Sequence, residues 1–235
     1  MSAIIPAILP SSRQDLEDKL LRLQGLTDRV QVDVVDGVFA GPPAWPYTAH
    51  ESTGITAALE FIGTLHLEAD LMVEDAETAM GSWIDAGANR IVLHVERAHA
   101  LPKLLDEIQT RYGHDPEFTP GLLSIGLAIH AATDISALTP FLGRIDYVQF
   151  MGIADIGKQG QPFDPRVLPK IRAFRRANPK LPVQVDGGVS LSTAPALLAA
   201  GVSRLIVGSA LWKARDLAAA YREFVSLTTR YGTYT

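Results

Sequence analysis

Hydrophobic and polar side chains alternate along the segment VQVDVVDGVF, which begins at Val30. Because successive side chains of a strand point to opposite faces, the alternate valines form one face, and Gln31 and Asp33 share the other with Val35. The segment then enters an Asp-Gly turn. A carboxylate at the carboxyl end of a strand, directly before a glycine turn, is where α/β proteins carry their chemistry.

The same design recurs in LPVQVDGGV, Leu181–Val189. The two valines at 183 and 185 share one face, Gln184 and Asp186 share the other, and a glycine pair follows. A single aspartate in a buried strand is weak evidence for a site. Two aspartates in matched positions predict a functional pair.

Strand patterns alternate with helical patterns along the whole chain. The predicted strands are Ala3–Leu9, the first half of Val30–Phe39, Leu65–Val73, Arg90–Glu96, Ser124–His130, Ile145–Ile153, Leu181–Val189 and Arg204–Ser209. The helical patterns cover Arg13–Leu26, Thr56–Ile62, Glu74–Ala88, Ala100–Tyr112, Thr133–Leu142, Pro165–Ala177, Ser190–Ala200 and Lys213–Leu227. This regular alternation favours parallel strands with right-handed crossovers, and eight units predict a single (β/α)8 TIM-barrel domain over residues 1–235.

Composition narrows the class of protein. The chain is 47% hydrophobic and 20% charged, with a net charge of −5 and no cysteine, so disulfides and thiolate metal sites are excluded. It has no basic block for nucleic acid and no apolar run of the roughly 18–20 residues that cross a bilayer. The amino-terminal segment lacks the basic region of a signal peptide. We therefore expect a cytoplasmic protein that binds neither nucleic acid nor membrane.

Glycines cluster after the last predicted strands. Loops in these positions of a barrel commonly bind phosphate through backbone N–H groups, and glycine lets those groups approach an oxyanion closely. The alternative is that these glycines only form tight turns. Because the feature follows more than one strand, we expect a phosphate-binding role for Gly160, Gly187, Gly188, Gly208 and Ser209.

Asp33 and Asp186 fall on the second and seventh strands, roughly opposite each other in a barrel. Two carboxylates on either side of a small substrate can remove a proton from one face and return it to the other. The alternative, a structural carboxylate paired with a cation, is weak for Asp33 because its neighbours Gln31 and Val35 offer none. We therefore predict that both aspartates are catalytic.

Asp70, on the third strand, is expected to join this pair, so that Gln31, Asp33, Asp70 and Asp186 converge on a divalent metal ion. An all-oxygen set suits Mg²⁺ or Mn²⁺ better than Zn²⁺ or Fe²⁺. The alternative is a metal-free polar cluster in which at least one carboxylate holds a proton. The sequence leaves both open.

Three further side chains are predicted to line the substrate. His94 lies near the end of the fourth strand, and Met72 and Met151 point into the top of the barrel. The alternatives are a hydrogen-bonded structural histidine and ordinary core methionines.

The motifs VDVVDGVF, DLMV, LHVE, GLAI, FMG, GQPF, VDGGV and VGSA, in this order, resemble the ribulose-phosphate 3-epimerase family over nearly the whole chain. The resemblance implies an enzyme that interconverts ribulose 5-phosphate and xylulose 5-phosphate, or a related ketose phosphate, through an enediolate held on a divalent metal, with no organic cofactor. It implies acid–base roles for Asp33 and Asp186, phosphate binding by the glycine loops, and substrate contacts from the two methionines.

The chain departs from the family pattern at two positions that hold metal ligands in the family. The family's two metal-binding histidines are replaced by Gln31 and Asp70, which makes the site more negative by about one charge and so stabilises an enediolate less well. The alternative functions are a metal-independent reaction, with a protonated Asp70 as hydrogen-bond donor, and sugar-phosphate binding without catalysis. Family members often self-associate, which adds a homo-oligomer as a hypothesis.

Overall fold

Eight parallel strands close into a barrel in chain order, with the first strand pairing with the last. The computed structural model describes residues 3–48, 54–97, 99–116 and 122–231, the side chain of Phe61 excepted. The strands are β1 (Ala3–Ile8), β2 (Arg29–Val35), β3 (His66–Met72), β4 (Arg90–His94), β5 (Ser124–Ile129), β6 (Tyr147–Met151), β7 (Val183–Asp186) and β8 (Arg204–Val207). The predicted (β/α)8 architecture is confirmed.

Helices follow the strands. They are α1 (Arg13–Leu23), α2 (Ile55–Leu59), α3 (Ala76–Asp85), α4 (Leu101–Tyr112), α5 (Val167–Ala177), α6 (Ala194–Ala199), α7 (Ser209–Trp212) and α8 (Leu217–Tyr231), with 3-10 helices at Glu60–Ile62, Val95–Arg97 and Ile135–Arg144.

Three elements differ from the sequence prediction. The segment after β5 is a 3-10 helix, and its Pro140 has no N–H for α-helical bonding. The last helix begins at Leu217 rather than at the predicted Lys213, because Asp216 accepts a hydrogen bond from the Ala219 N–H and caps α8, and the short helix α7 precedes it. Glu96 lies in a 3-10 helix rather than on β4, so it leaves the barrel wall.

Apolar and polar faces of the strands separate as the alternation predicts. Val30, Val32 and Val34 are fully buried in the core between the strands and the helices. The opposite faces fill the barrel interior. There Gly126 makes room for an aromatic ring, since a Cβ on this glycine would lie 2.3 Å from Cε2 of Tyr147.

The loop after β2 packs over the top of the barrel. The Ala44 N–H donates to the Val35 carbonyl at 2.9 Å, and Trp45 beside it is buried. Residues 49–53 of the predicted loop Gly41–Gly54, and residues 117–121 after α4, lie outside the described residues. No helix in the described part of the chain has the length and apolar character needed to cross a membrane.

Candidate active site

Asp33 and Asp186 meet at the carboxyl end of the barrel, where β2 and β7 end. The Gln31 Nε2 group donates to Asp33 Oδ1 at 2.9 Å and to Asp186 Oδ2 at 3.1 Å. The two aspartates are only 6% and 9% exposed, and both line one pocket. One amide thus fixes both carboxylates at the pocket floor.

Asp70 completes a group of three carboxylates. One oxygen of each of Asp33, Asp70 and Asp186 lies within 4.8 Å of the others. Gln149 Nε2 donates to Asp70 Oδ2 at 2.7 Å, and His94 Nε2 lies 3.0 Å from Asp70 Oδ1. Each oxygen of Asp70 thus contacts a buried polar side chain.

Burial is the largest cause of the raised pKa values of Asp33 and Asp186. Burial, and secondarily the charge of Asp70, raises the pKa of Asp33 to about 7. Burial, and secondarily the charge of Asp33, raises the pKa of Asp186 well above its usual range. Two buried carboxylates this close cannot both ionise readily, so the pair retains a proton near neutral pH.

His94 is not among the residues that line this pocket. Burial opposes protonation of this imidazole, but the neighbouring Asp70 and Glu96 outweigh burial and raise the pKa of His94 to about 9. Its ring packs edge-on against Phe39 at 5.1 Å between centroids. The imidazolium therefore forms a buried ion pair with Asp70.

The predicted phosphate-binding residues surround the same pocket as the two aspartates. The pocket has about 490 Å³ of empty space, including the part open to solvent, and is lined by Gly160, Gly187, Gly188, Gly208, Ser209, Met72 and Met151 among others. Gly160, Gly187 and Gly188 have φ of +82°, +93° and +67°, a conformation that favours glycine. The structure thus brings the aspartates, the methionines and the glycine loops together.

Gln159 lines this pocket and Lys213 lies beside Gly160 at its edge, and sequence reasoning missed both. A Cβ added to Gly160 would lie 3.0 Å from Lys213 Nζ, so the ammonium group lies against this loop. A Cβ added to Gly208 would lie 2.8 Å from Gln159 Nε2, which also donates to the Ala7 carbonyl at 3.5 Å. The loop after β6 is longer than in the family pattern, and this length was the sequence feature that could have pointed to Gln159. No sequence feature pointed to Lys213.

The donor set fits a hard divalent cation. Gln31 Oε1 is buried and has no hydrogen-bond partner among the described residues, so an amide oxygen remains available beside the carboxylates. Carboxylate and amide oxygens are ligands that Mg²⁺ and Mn²⁺ accept. The group Asp33, Asp70 and Asp186 can therefore hold a metal ion.

Comparison with known proteins decides the family. A family model described as the ribulose-phosphate 3 epimerase family matches residues 3–212. The chain belongs to the ribulose-phosphate 3-epimerase family. It is therefore an enzyme of the epimerase type, as the motifs predicted.

Curated relatives match over most of their length. The ribulose-phosphate 3-epimerase of Chlamydia pneumoniae is 31% identical over 209 residues, covering 86% of this chain and 83% of the relative. The corresponding protein of Schizosaccharomyces pombe is 29% identical and covers 91% and 88%. That of Aquifex aeolicus is 26% identical and covers 97% of both chains.

Solved structures confirm the architecture. A Streptococcus mutans protein described as KGPDC, solved as a complex with a sugar phosphate, superposes with a TM-score of 0.72 at 15% identity, covering 98% of both chains. A 3-hexulose-6-phosphate synthase superposes with a TM-score of 0.68 at 20% identity, covering 97% of this chain and 99% of the other. At these identities the likeness concerns the fold alone.

Proposed function

We propose that this protein interconverts ribulose 5-phosphate and xylulose 5-phosphate, or a closely related ketose phosphate, by inverting carbon 3. The observation that carries the proposal is the pairing of Asp33 and Asp186 on one amide at the floor of a pocket whose rim is the glycine loops. The names of the relatives point to the same reaction.

Because the aspartate pair retains one proton, one aspartate can act as the base and the other as the acid in an inversion at carbon 3. The C–H bond at carbon 3 is acidic because carbon 2 is a carbonyl. The ionised aspartate removes this proton from one face and leaves an enediolate. The protonated aspartate then donates a proton to carbon 3 from the other face, so each turnover exchanges the roles of Asp33 and Asp186.

The enediolate needs positive charge close to its two oxygens. Asp33, Asp70, Asp186 and Gln31 Oε1 would hold a divalent ion, which would supply that charge when bound; the oxygen donor set favours Mg²⁺ or Mn²⁺ over Zn²⁺ or Fe²⁺. Gln31 holds the two carboxylates in position, and Gln149 orients Asp70.

The phosphate group of the substrate fits the opposite side of the pocket. Backbone N–H groups of Gly188, Gly208 and Ser209 are the proposed donors, and Lys213 beside Gly160 supplies a cation. The structural neighbour from Streptococcus mutans, solved with its ligand bound, supports a sugar phosphate as the class of ligand. Met72 and Met151 provide apolar contacts to the carbon chain.

Solvent exchange tests the reaction. The protein is incubated with ribulose 5-phosphate in D₂O with Mg²⁺ or Mn²⁺, and mass spectrometry and proton NMR follow both pentulose phosphates. Because the second aspartate delivers a solvent-derived proton, we expect xylulose 5-phosphate to carry deuterium at carbon 3 from the first turnover. Formation of neither product nor exchanged substrate across a panel of ketose phosphates would contradict the proposal.

One observation favours a metal-independent version of this chemistry. The buried pair of His94 with Asp70 already places a protonated imidazole beside the carboxylates. If turnover is the same with a chelator as with Mn²⁺, this version replaces the metal-dependent one. Binding of ribulose 5-phosphate without turnover or exchange would instead indicate a sugar-phosphate-binding protein.

A further inference from the structure

A second polar cluster lies at the opposite end of the barrel, where the strands begin. Arg90, Tyr147 and Arg204 are the first residues of β4, β6 and β8, and their side chains meet below Glu68 of β3. The Arg90 guanidinium carbon lies 3.9 Å from the Tyr147 ring centroid, and that of Arg204 lies 5.3 Å from it. Two guanidinium groups thus share one aromatic ring.

The carboxylate of Glu68 is fully engaged without Arg204. Glu68 accepts from Arg90 Nε at 2.6 Å, from the Tyr147 hydroxyl at 2.8 Å and from Gln184 Nε2 at 2.7 Å. Glu68 therefore neutralises Arg90. Among the described residues, Arg204 has no ion pair, and Arg204 Nη1 is buried without a hydrogen-bond partner.

The uncompensated charge of Arg204 is costly to the protein. Burial, and secondarily the like charge of Arg90, lowers the pKa of Arg204 to about 10. A partly buried cation without an ion-pair partner destabilises a fold, because it loses hydration and gains little counter-charge. Arg90 Nη2 is also buried without a described partner, so both guanidinium groups retain a free N–H edge.

Both arginines open onto a cavity. It has about 1310 Å³ of empty space, including the part open to solvent. Beside Arg90 and Arg204 it is lined by apolar side chains of the segments that lead into β6 and β7: Leu142, Ile145, Leu181 and Pro182. Its acidic lining residue, Asp146, already accepts from His114 Nε2 at 2.7 Å and from the Ile125 N–H at 2.6 Å. The cavity is thus cationic at one end and apolar along its wall.

We infer that this cavity binds a small organic carboxylate with an apolar body, held through its carboxylate by Arg204 and Arg90. Arg90, Arg204 and Lys180 face the two carboxylates Glu68 and Asp146 in and beside this cavity, so the surplus is one positive charge, which a monoanion balances. Guanidinium groups match a carboxylate in a planar, two-pronged geometry, and the apolar wall accepts the rest of the ligand. The site is separate from the catalytic pocket, which lies at the other end of the strands and is bordered by none of the four apolar residues above.

Binding of benzoate tests the inference, because benzoate is a monoanion with an apolar ring and no phosphate. Isothermal titration and thermal unfolding are measured on the wild-type protein, on Arg204→Met and on Arg222→Met. Arg222 is an exposed arginine of α8 and serves as the matched control. We expect benzoate to raise the unfolding midpoint of the wild type and the control.

Arg204→Met is expected to bind benzoate at least tenfold more weakly and to unfold at a higher temperature than the wild type without ligand, because it removes the unpaired charge. The proposal is overturned if benzoate leaves the wild type unchanged, or if it binds Arg204→Met as tightly as the wild type. Should Arg204→Met fail to fold, Arg204→Lys keeps the charge and loses the planar fork. Weaker benzoate binding by Arg204→Lys supports the site, and unaltered binding overturns it.

A parallel titration with inorganic phosphate distinguishes the two ends of the barrel. Phosphate is expected to stabilise the wild type and Arg204→Met equally, because it binds the glycine loops. A phosphate effect that disappears in Arg204→Met, with no benzoate effect, would overturn the assignment of a carboxylate.

Discussion

Burial sets the chemistry of Asp33 and Asp186. Each aspartate is ordinary in sequence, yet placement at the pocket floor raises both pKa values until the pair holds a proton near neutral pH. Gln31 is the residue that makes the pairing specific, since its one amide group contacts both carboxylates.

Replacement of either aspartate by asparagine is predicted to lower kcat by about 10² to 10⁴, because an amide cannot accept or deliver the proton at carbon 3. KM is expected to change little, since size and position are kept. Steady-state kinetics of Asp33→Asn and Asp186→Asn against the exposed control Asp18→Asn measures this. Full activity in either buried variant would exclude the two-aspartate mechanism.

Lys213 is predicted to contribute to phosphate binding. Lys213→Met should raise KM for the sugar phosphate about 10-fold and leave kcat within a factor of about two, because the ammonium group lies beside Gly160 and away from the aspartates. Lys103→Met is the matched control, since Lys103 is exposed on α4 and does not line the pocket. An equal KM effect in both variants would argue against a specific contact.

Asp70 is predicted to be a metal ligand. Mn²⁺ should bind the wild-type protein at pH 8, as measured by the electron paramagnetic resonance signal of free Mn²⁺, and should raise its unfolding temperature. Asp70→Asn should bind Mn²⁺ at least tenfold more weakly, whereas the exposed control Asp155→Asn should match the wild type. Equal Mn²⁺ affinity in all three proteins would remove Asp70 from the site.

At the scale of elements, the loop between β7 and α6 shows why a glycine pair follows the catalytic strand. Gly188 has φ +67°, and a Cβ on it would lie 2.6 Å from the Phe163 Cα atom, which is backbone and cannot move aside. The loops after β6 and β7 therefore pack against each other at the rim of the pocket. Gly188 serves this packing as well as any approach of phosphate.

Gly188→Ala is accordingly predicted to destabilise the protein by about 1–3 kcal/mol and to raise KM, because both the positive φ and the contact with Phe163 are incompatible with a side chain. Gly143→Ala is the control, since a Cβ there meets nothing within 4 Å. Urea unfolding and steady-state kinetics measure the two effects. Equal stability of the two variants would contradict this account of the loop.

At the scale of the whole molecule, the barrel interior is a continuous column of polar side chains. Arg90 donates to Glu68, Gln184 donates to both Glu68 and Gln149, and Gln149 donates to Asp70. The column joins the arginine cluster at one end to the candidate catalytic aspartates at the other. Its amides satisfy buried carboxylates that would otherwise be costly.

The column implies a pH dependence of stability. The pKa of Asp33 is about 7 in the folded protein and near 3.8 in the unfolded chain, so the folded state binds its proton more tightly. The stability from this group is fully present below about pH 4 and is lost as the pH rises through about 7. Without metal, the contribution of Asp33 should therefore fall by an amount on the order of a few kcal/mol over this interval.

Urea unfolding between pH 5 and 8 in the presence of a chelator measures this loss. Asp33→Asn should show a shallower decline than the wild type, since its side chain does not ionise, and the exposed control Asp18→Asn should follow the wild type. A decline of the same slope in Asp33→Asn would assign the effect to other groups.

The sequence by itself determined the elements, the barrel and the candidate aspartates. Alternation with period two is a local property of a strand, and the Gln-x-Asp pattern of β2 and β7 places both polar residues on one face wherever the strand lies. The glycine turns are equally local, because a positive φ restricts the residue at that position. These features can be seen without knowledge of any distant contact.

Only the tertiary structure decided how these residues meet. The amide of Gln31 contacts two carboxylates, Asp70 pairs with His94, and Lys213 approaches Gly160. These contacts join residues up to 155 positions apart. Closure of the barrel also placed Arg204, partly buried, beside Arg90 and left it without an ion-pair partner among the described residues. Register and ring closure set these distances, and no local pattern of residues records them.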